Sequence, residues 1–380
     1  MGAANRRPGP RHGADKMRIA FLYYYTYRLP RGVETLIASL ANALARRGVE
    51  VAIVTARPTL RPLVPPDPAV RVCTYPTVRY FEHVCIAPYF VWNLLRHPYD
   101  RVVVFYGDFG EGLAWRILRM LRRAPPLVLY LCSPYSAVPH RYRTFMKLGW
   151  GQRACRILAD ASWVAREAEE LFQRPVSVVP VATDPQQFRP DAPLRRETRR
   201  RLGYSDSEVV LLNVSALEPR KGVSRVIEAM ACLRDRFPEL RYYILGQGEE
   251  EANLRRQVED LGLTGRVVFG GITSDLAAYY NMADIFVMLP DSEANSVACH
   301  EAMSTGLPVV VSRKEGFLEC VTPEAGWLVD PGCQEEVVEA LGRLISSAEL
   351  RAAMGQEGRA NILAHHTWAQ RARQFLEAVA

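Results

Sequence analysis

The 380-residue sequence predicts an α/β protein of two Rossmann-like domains, each a doubly wound parallel sheet, that face each other across a cleft. Short apolar runs alternate with segments whose apolar residues repeat at helical spacing, which is typical of parallel sheets covered by helices. This alternation starts again near residue 206. The chain is also too long for one ordinary core, and its length suits two domains of roughly 150–200 residues.

The N-terminal half supplies the first alternation. Residues 18–25 (RIAFLYYY) form an apolar run that predicts a buried strand, and apolar residues between Val33 and Leu44 repeat at helical spacing. Gly48 ends that helix. Further strands are predicted at 49–55, 100–105 and 126–131, and a further helix at 112–121. Strands that alternate with helices in this way are expected to pair in parallel.

The C-terminal half repeats the pattern. Strands are predicted at 208–213, 241–245, 266–269, 284–289 and 308–312, and helices at 223–236, 249–261, 276–282 and 296–305. Residues 184–201 are rich in Pro and Arg and lack apolar periodicity, which favours a linker. We therefore predict an N-terminal domain at 17–185, a linker or hinge at 186–205 and a C-terminal domain at 206–365.

Composition bounds the location of the protein. No apolar stretch approaches the roughly 20 residues that a membrane span needs. Residues 1–16 are rich in Arg, Gly and Pro without the apolar core of a signal peptide, which predicts a disordered leader. The eight cysteines form no Cys-x-x-Cys pair, and Cys232 and Cys299 lie in apolar helical patterns that predict buried thiols. We expect a cytoplasmic protein without structural disulfides.

Charge is divided unevenly between the two halves. The net charge is +7, but residues 1–190 hold 27 Lys/Arg against 13 Asp/Glu, a surplus of +14, whereas residues 191–380 carry −7. This asymmetry is compatible with a membrane surface, a polyanionic acceptor or nucleic acid. A solvated, Arg-rich surface explains it equally well.

The most informative stretch is residues 290–312, PDSEANSVACHEAMSTGLPVVVS. Glu293 follows a predicted strand, and Asn295 or Ser296 can cap the next helix. The first backbone N–H groups of that helix, near Val297, would point at the carboxyl edge of the sheet, where they suit a diphosphate. Glu301, one turn further, could accept hydrogen bonds from ribose hydroxyls. The competing interpretation is a local cap at Glu293 and a solvated Glu301.

This glutamate pair, with seven residues between its members and followed by EAM and GLPVV, resembles the donor-site signature of the retaining family 4 glycosyltransferases of GT-B fold. The resemblance extends over about 17–380 and is strongest at 208–330. Other matching segments are 28–55 (the first helix and second strand), 178–188 (VVPVATDPQQF), 217–222 (LEPRKG), 244–250 (ILGQGEE) and 267–273 (VVFGGIT). It implies transfer of a sugar from a nucleotide-diphosphate sugar to an acceptor hydroxyl, with retention and without a metal. It also implies that residues 366–380 form a helix that crosses back to the N-terminal domain.

The resemblance implies roles for individual residues, position by position. The donor-site residues it implies are Lys221, Ser296, Val297 and Gly32 at the diphosphate, Glu301 at the ribose, Gly271 and Ile272 at the base, and Glu293 and Asn295 at the sugar. Gly246 and Gly248 lie in a donor-domain loop, where a turn role is as well supported as a donor role.

Four departures from the family pattern stand out. Ala216 replaces an arginine before the lysine segment, and Arg220 is a candidate to supply that charge. The resemblance implies that the catalytic residues are Glu293, Lys221 and Cys132, but Cys132 stands where the family carries a histidine near the transferred sugar, and a thiol is a weak hydrogen-bond donor. The first glycine loop is reduced to Arg31-Gly32, and Val181-Ala182 replace the usual Asn-Gly.

The chemistry implied is attack of an acceptor hydroxyl on the anomeric carbon, with Lys221 and the helix N-terminus stabilising the departing diphosphate. The resemblance implies that neither a cofactor nor a metal ion takes part, and the absence of an Asp-x-Asp pair is consistent with this. A dinucleotide oxidoreductase is disfavoured because the first loop has no G-x-G-x-x-G. A sugar-nucleotide epimerase, a phosphorylase and a weakly catalytic binding protein stay open as alternatives.

The acceptor is expected on the N-terminal domain. Residues 75–92 and 140–150 combine aromatic side chains with basic ones, which suits a lipid-linked acceptor at a membrane; core packing under Arg stems is the equal alternative. The expected partners are thus a nucleotide sugar, a lipid-linked or glycan acceptor and an anionic membrane, with no nucleic acid.

Overall fold

The computed structural model describes residues 16–24, 26, 32–58, 64–76, 82–105, 109–135 and 149–380, with backbone alone for 82–86, 109–112 and 150. The leader predicted at 1–16 lies outside these residues except for Lys16, as do Arg31 and the stretch 140–148.

The N-terminal half is a seven-stranded parallel sheet in the order β3-β2-β1-β4-β5-β6-β7. Its strands are β1 (Arg18–Leu22), β2 (Glu50–Ala56), β3 (Arg71–Tyr75), β4 (Arg101–Phe105), β5 (Leu127–Leu131), β6 (Arg156–Ala159) and β7 (Ser177–Val178). Its helices are α1 (Gly32–Arg46), α2 (Glu82–Arg96), α3 (Phe109–Met120), α4 (Trp150–Arg153) and α5 (Ser162–Phe172). The strand order reverses between β1 and β4, and open α/β sheets bind ligands beside such a point.

The C-terminal half is a six-stranded parallel sheet in the order β10-β9-β8-β11-β12-β13. Its strands are β8 (Val209–Val214), β9 (Leu240–Leu245), β10 (Val267–Gly271), β11 (Ile285–Met288), β12 (Val309–Ser312) and β13 (Gly326–Val329). The helices are α6 (Ala192–Leu202), α7 (Val223–Leu233), α8 (Glu251–Asp260), α9 (Leu276–Met282), α10 (Val297–Ser304), α11 (Glu315–Leu318), α12 (Gln334–Ser346), α13 (Ala348–His365) and α14 (Trp368–Val379). Here the order reverses between β8 and β11, so the segments after these two strands adjoin.

Both sheets are covered by helices on their two faces, which explains why their strands are apolar without alternation. Strand β5, for example, is buried over its whole length, and so is β12. The predicted doubly wound architecture of two domains is therefore confirmed. The short strands β3, β6, β7 and β13 were not predicted, because they carry too few apolar residues in a row to stand out.

The segment predicted as a linker contains ordered secondary structure. Helix α6 begins at the Asp191 cap, whose side chain accepts a hydrogen bond from the Leu194 N–H at 2.9 Å. Its Arg199 is 2% exposed and pairs with Asp284 at 2.5 Å. The absence of apolar periodicity was thus misleading, because α6 is anchored to the C-terminal domain by a buried ion pair. The domain boundaries at 185 and 205 stay predictions.

Helix α14 lies against the N-terminal domain. Phe375 is fully buried in the N-terminal core, with its ring centroid 5.8 Å from that of Phe21. The Arg101 side chain donates to the Val379 carbonyl at 2.7 Å, and Thr183 forms a β-bridge with Thr367. The last residues of the chain therefore complete the first domain.

One of the burial predictions from sequence is wrong. Cys232 is exposed although Cys299 is buried as expected, because the apolar stripe of α7 faces away from residue 232. In the stretch 75–92, Tyr75 and Phe90 are core residues, whereas Trp92 is 46% exposed. Packing thus explains Tyr75 and Phe90, whereas Tyr80 and Phe81 of the same stretch lie outside the described residues.

Candidate active site

Helix α10 begins at the carboxyl edge of the C-terminal sheet. Ser296 caps it, and its Oγ accepts a hydrogen bond from the Cys299 N–H at 3.2 Å. The first N–H groups of a helix have no carbonyl partner within the helix, and its dipole favours an anion at this end. The start of α10 is therefore suited to a negatively charged group.

Lys221 and Glu293 meet beside that helix start. Lys221 lies in a 3-10 turn, Pro219–Lys221, that follows β8, and Glu293 lies in the loop after β11. The Lys221 Nζ is 2.5 Å from the Glu293 Oε2, and both side chains are largely buried. Because β8 and β11 are neighbours in the sheet, residues 72 positions apart are brought together.

Gly222 holds this turn in place. Its φ is +67°, and a Cβ there would lie 1.9 Å from the Leu289 carbonyl oxygen. A side chain is therefore excluded by both the backbone conformation and the space. The close approach of the turn to the end of β11 is what sets the Lys221 side chain opposite Glu293.

Glu301 is held more deeply than the sequence suggested. It is 5% exposed, and the Tyr280 hydroxyl of α9 donates to its Oε2 at 2.9 Å. Burial raises the pKa of Glu301 to about 8, and the hydrogen bond from Tyr280 offsets this in part. Interpreting Glu301 as a solvated helix residue is therefore wrong. Tyr280 was missed, because no local pattern connects it to α10.

The loop glycines have a structural explanation. A Cβ at Gly246 would lie 1.8 Å from the Ser215 carbonyl oxygen, and one at Gly248 would lie 2.1 Å from that of Leu217. Gly246 also donates its N–H to the Gly271 carbonyl at 2.8 Å. These contacts join the ends of β8, β9 and β10 into one edge of the cleft.

At that edge, Ile272 is 49% exposed. Arg220 is half exposed and pairs with Glu218 at 2.9 Å. A second guanidinium, that of Arg225, pairs with Asp291 at 2.6 Å and was not singled out from the sequence. The donor-binding roles of Ile272 and Arg220 stay predictions.

The N-terminal domain reaches the same site through Gly32. A Cβ at Gly32 would lie 3.9 Å from the Val297 Cγ2, so the starts of α1 and α10 face each other across the cleft. The N-terminus of a helix favours negative charge, and the N-termini of α1 and α10 lie close together.

Two further hydrogen bonds between the domains hold the loop that carries Glu293. The Asn295 Nδ2 donates to the Asp160 carbonyl at 2.9 Å, and the Trp163 Nε1 donates to the Ala294 carbonyl at 3.0 Å. Asp160 directly follows β6, and Trp163 lies in the first turn of α5. We call these contacts the domain seam. Sequence reasoning missed Asp160 and Trp163, since each contact joins residues more than 130 positions apart.

Cys132 follows β5 and is 4% exposed. Burial, with smaller contributions from Asp160 and Glu34, raises the pKa of its thiol well above the usual range. It is therefore a neutral thiol, and its predicted catalytic role is not that of a thiolate nucleophile.

Two parallel-sheet domains, with a capped helix start, a lysine and a buried glutamate at the carboxyl edge of one sheet, are the features of a nucleotide-binding protein, and these residues are its candidate site. Residues 195–361 match the glycosyl transferases group 1 family, and residues 30–187 match glycosyltransferase family 4. The chain belongs to this family of group 1, family 4 glycosyltransferases, which have the GT-B fold.

Curated relatives agree with this assignment. A GDP-mannose-dependent alpha-(1-6)-phosphatidylinositol monomannoside mannosyltransferase of Mycolicibacterium smegmatis is 34% identical over 209 residues, which is 52% of this chain and 54% of that protein. The match thus spans about half the length of that relative. A D-inositol 3-phosphate glycosyltransferase of Corynebacterium glutamicum is 28% identical over 90% of this chain and 91% of that one.

A solved structure supports the fold. The Anabaena protein Alr3699/HepE, in complex with UDP and glucose, matches with a TM-score of 0.79 at 20% identity, over 95% of this chain and 98% of that chain.

Proposed function

We propose that the protein transfers a hexose from a nucleoside-diphosphate sugar to an acceptor hydroxyl with retention of configuration and without a metal ion. In this step the bond from the anomeric carbon to the diphosphate oxygen breaks, and a bond to the acceptor oxygen forms. The acceptor's proton passes to the departing diphosphate. Relatives that bear the names of mannosyltransferases and inositol phosphate glycosyltransferases support this proposal.

The observation that carries the proposal is the pairing of Lys221 with Glu293 at the capped start of α10. A fixed cation beside a helix N-terminus stabilises the charge that develops on a leaving diphosphate, because neither group has to reorganise during the reaction. Glu293 neutralises Lys221 in the ion pair that the structure shows. A bound diphosphate would take over the ammonium group and release the Glu293 carboxylate towards the sugar.

Binding of nucleoside diphosphates tests this assignment. We expect UDP or GDP to bind the wild type, and Lys221→Ala to weaken that binding about tenfold or more, since a charge-assisted contact to phosphate is lost. Titration calorimetry measures the affinity, with thermal unfolding as the check on folding. If a well-folded Lys221→Ala protein binds both nucleotides as tightly as the wild type, the diphosphate site lies elsewhere.

Release of nucleoside diphosphate from a panel of nucleotide sugars separates a transferase from a binding protein. A working transferase releases the diphosphate faster when the acceptor is present. A protein that binds the nucleotide sugar but shows no release above the uncatalysed rate has the binding function alone.

We further propose that the acceptor is lipid-linked and that the basic N-terminal half contacts an anionic membrane. Among the described residues no helix has both the length and the apolar character that crossing a bilayer requires. Contact would therefore be peripheral, through the +14 surplus of residues 1–190 and exposed aromatic groups such as Trp92. We expect co-sedimentation with phosphatidylserine-containing vesicles at low salt and its loss at high salt. Absence of co-sedimentation at low salt would rule out the membrane contact.

A further inference from the structure

Two buried oxygen atoms at the domain seam have no hydrogen-bond partner among the described residues. They are the Asp160 Oδ1 and the Asn295 Oδ1. Asp160 is 4% exposed and Asn295 is 9% exposed, so solvent does not compensate either atom. Leaving a buried acceptor unpaired costs roughly 1–3 kcal/mol, so each of these atoms calls for an explanation.

Asp160 and Asn295 belong to different domains but are in direct contact. The Asn295 Nδ2 donates to the Asp160 main-chain carbonyl, which fixes Asn295 beside the loop of Glu293. The charge of Glu293 also adds to burial in raising the pKa of the Asp160 carboxyl well above its usual range. The unpaired acceptors therefore lie close to Glu293, the partner of Lys221.

Asp160 is also the neighbour of Cys132. Strands β5 and β6 are paired in parallel with Leu131 opposite Ala159, and the Asp160 N–H donates to the Leu131 carbonyl at 3.0 Å. The residues that follow the two strands thus lie side by side at the carboxyl edge of the N-terminal sheet. Cys132 is a weak hydrogen-bonding group at this edge, whereas a carboxyl group is a strong one.

The chemistry of these atoms indicates the missing partner. An amide oxygen and the unprotonated oxygen of a carboxyl group accept hydrogen bonds from O–H or N–H donors, and a hexose presents several hydroxyl groups close together. A nucleotide alone, bound through its diphosphate and ribose to the C-terminal domain, would leave both atoms unpaired. A hexose that extends from the diphosphate across the seam would supply the donors.

We propose that Asp160 is a sugar-specificity residue, which together with the Asn295 Oδ1 accepts hydrogen bonds from hydroxyls of the transferred hexose. This inference rests on the proposed function and deepens it by assigning part of the hexose subsite to the N-terminal domain. The Asp160 carboxyl forms the strong hydrogen bond to the sugar that the Cys132 thiol is too weak to form.

Kinetics with mono-deoxy analogues of the donor sugar test the assignment. For the wild type, the analogue that lacks the contacted hydroxyl should react roughly tenfold or more slowly than the parent sugar, because it leaves the acceptor unpaired. In Asp160→Ala the parent sugar itself should lose tenfold or more in kcat/KM, and the penalty for that one analogue should disappear. The affinity for the nucleoside diphosphate should stay within about twofold of wild type.

Three variants separate this role from a structural one. Asp160→Asn keeps the shape of the side chain, and Asp235→Ala removes a solvent-exposed carboxyl and should change nothing. Trp163→Phe removes another hydrogen bond of the domain seam without touching the carboxyl, so it should keep the wild-type pattern of deoxy penalties.

Each other result overturns the proposal. Unchanged deoxy penalties in Asp160→Ala show that no hydroxyl contacts this residue. Loss of nucleotide affinity in both Asp160 variants, or loss of the deoxy pattern in Trp163→Phe, shows that Asp160 acts through the architecture of the seam. Failure of the wild type to bind or turn over any nucleotide sugar overturns the proposed function, and this inference with it.

Discussion

At the residue scale, Glu301 shows how burial changes an ordinary carboxyl group. It lies within α10, and its Oε2 accepts a hydrogen bond from the Tyr280 hydroxyl. Burial raises its pKa to about 8. Desolvation disfavours the charged form, so this carboxyl is protonated at neutral pH. A carboxyl group whose pKa is raised on folding makes the free energy of unfolding depend on pH.

The sign of that dependence follows from the two pKa values. Glu301 has a pKa near 4.5 when unfolded and about 8 when folded, so the folded state binds more protons between these values. Its contribution to stability is fully present below pH 4.5 and is lost as the pH rises through 8. Glu301→Gln should therefore lose less thermal stability than the wild type between pH 5 and pH 9, measured by melting curves. Parallel curves for the two proteins would contradict this account.

Tyr280 gives a second prediction at this scale. Tyr280→Phe removes the donor that orients Glu301 and keeps the ring in its packing against Phe188 and Phe286. If Glu301 binds ribose, the variant should bind nucleoside diphosphate several-fold more weakly and bind inorganic pyrophosphate as the wild type does. Calorimetry with both ligands distinguishes the two effects. Equal weakening for pyrophosphate would place the damage at the diphosphate instead.

At the element scale, the turn between β8 and α7 is as important as the strands it joins. The residues Pro219–Lys221 form one 3-10 turn that ends at Gly222, and this turn sets the position of the Lys221 ammonium. Gly203, at the end of α6, has a similarly positive φ of +78° but has open space around it. The two glycines differ in steric contact and not in backbone conformation.

Replacement by alanine separates these two contributions. Gly203→Ala should cost about 1 kcal/mol of unfolding free energy through backbone strain alone. Gly222→Ala adds a clash with the Leu289 carbonyl and should cost about 2 kcal/mol more, with weaker diphosphate binding because Lys221 moves. Chemical denaturation measures both. Equal losses of unfolding free energy in the two variants would show that the turn moves to accommodate the added methyl group without strain.

At the scale of the whole molecule, the chain crosses between its domains more than once. Helix α14 returns to pack Phe375 into the N-terminal core, and the domain seam holds the loop of Glu293 from the other side. The candidate active site is therefore contacted by both domains and not by the C-terminal half alone.

Truncation of Phe375 tests how much the returning helix contributes. Phe375→Ala should destabilise the N-terminal domain by about 3–5 kcal/mol, since a fully buried aromatic side chain leaves a cavity. Leu376→Ala, on the same helix but only partly buried, should cost clearly less. Denaturant unfolding followed by tryptophan fluorescence measures both, and similar losses would show that α14 is peripheral to the core.

The sequence by itself determined the two-domain α/β architecture and the family. Long apolar strands must be covered on both faces, and the motif from Glu293 to Glu301 is local enough to be recognised along the chain. Only the tertiary structure decided the contacts of Tyr280, Asp160 and Trp163, because their partners lie 21 to 135 positions away. The structure also showed that 192–202 is a helix. The sequence did not predict this helix, because an element anchored by a buried ion pair shows no apolar periodicity. Apolar periodicity along the chain predicts which face of an element is buried. The hydrogen-bond partners of polar groups depend instead on which distant elements pack together.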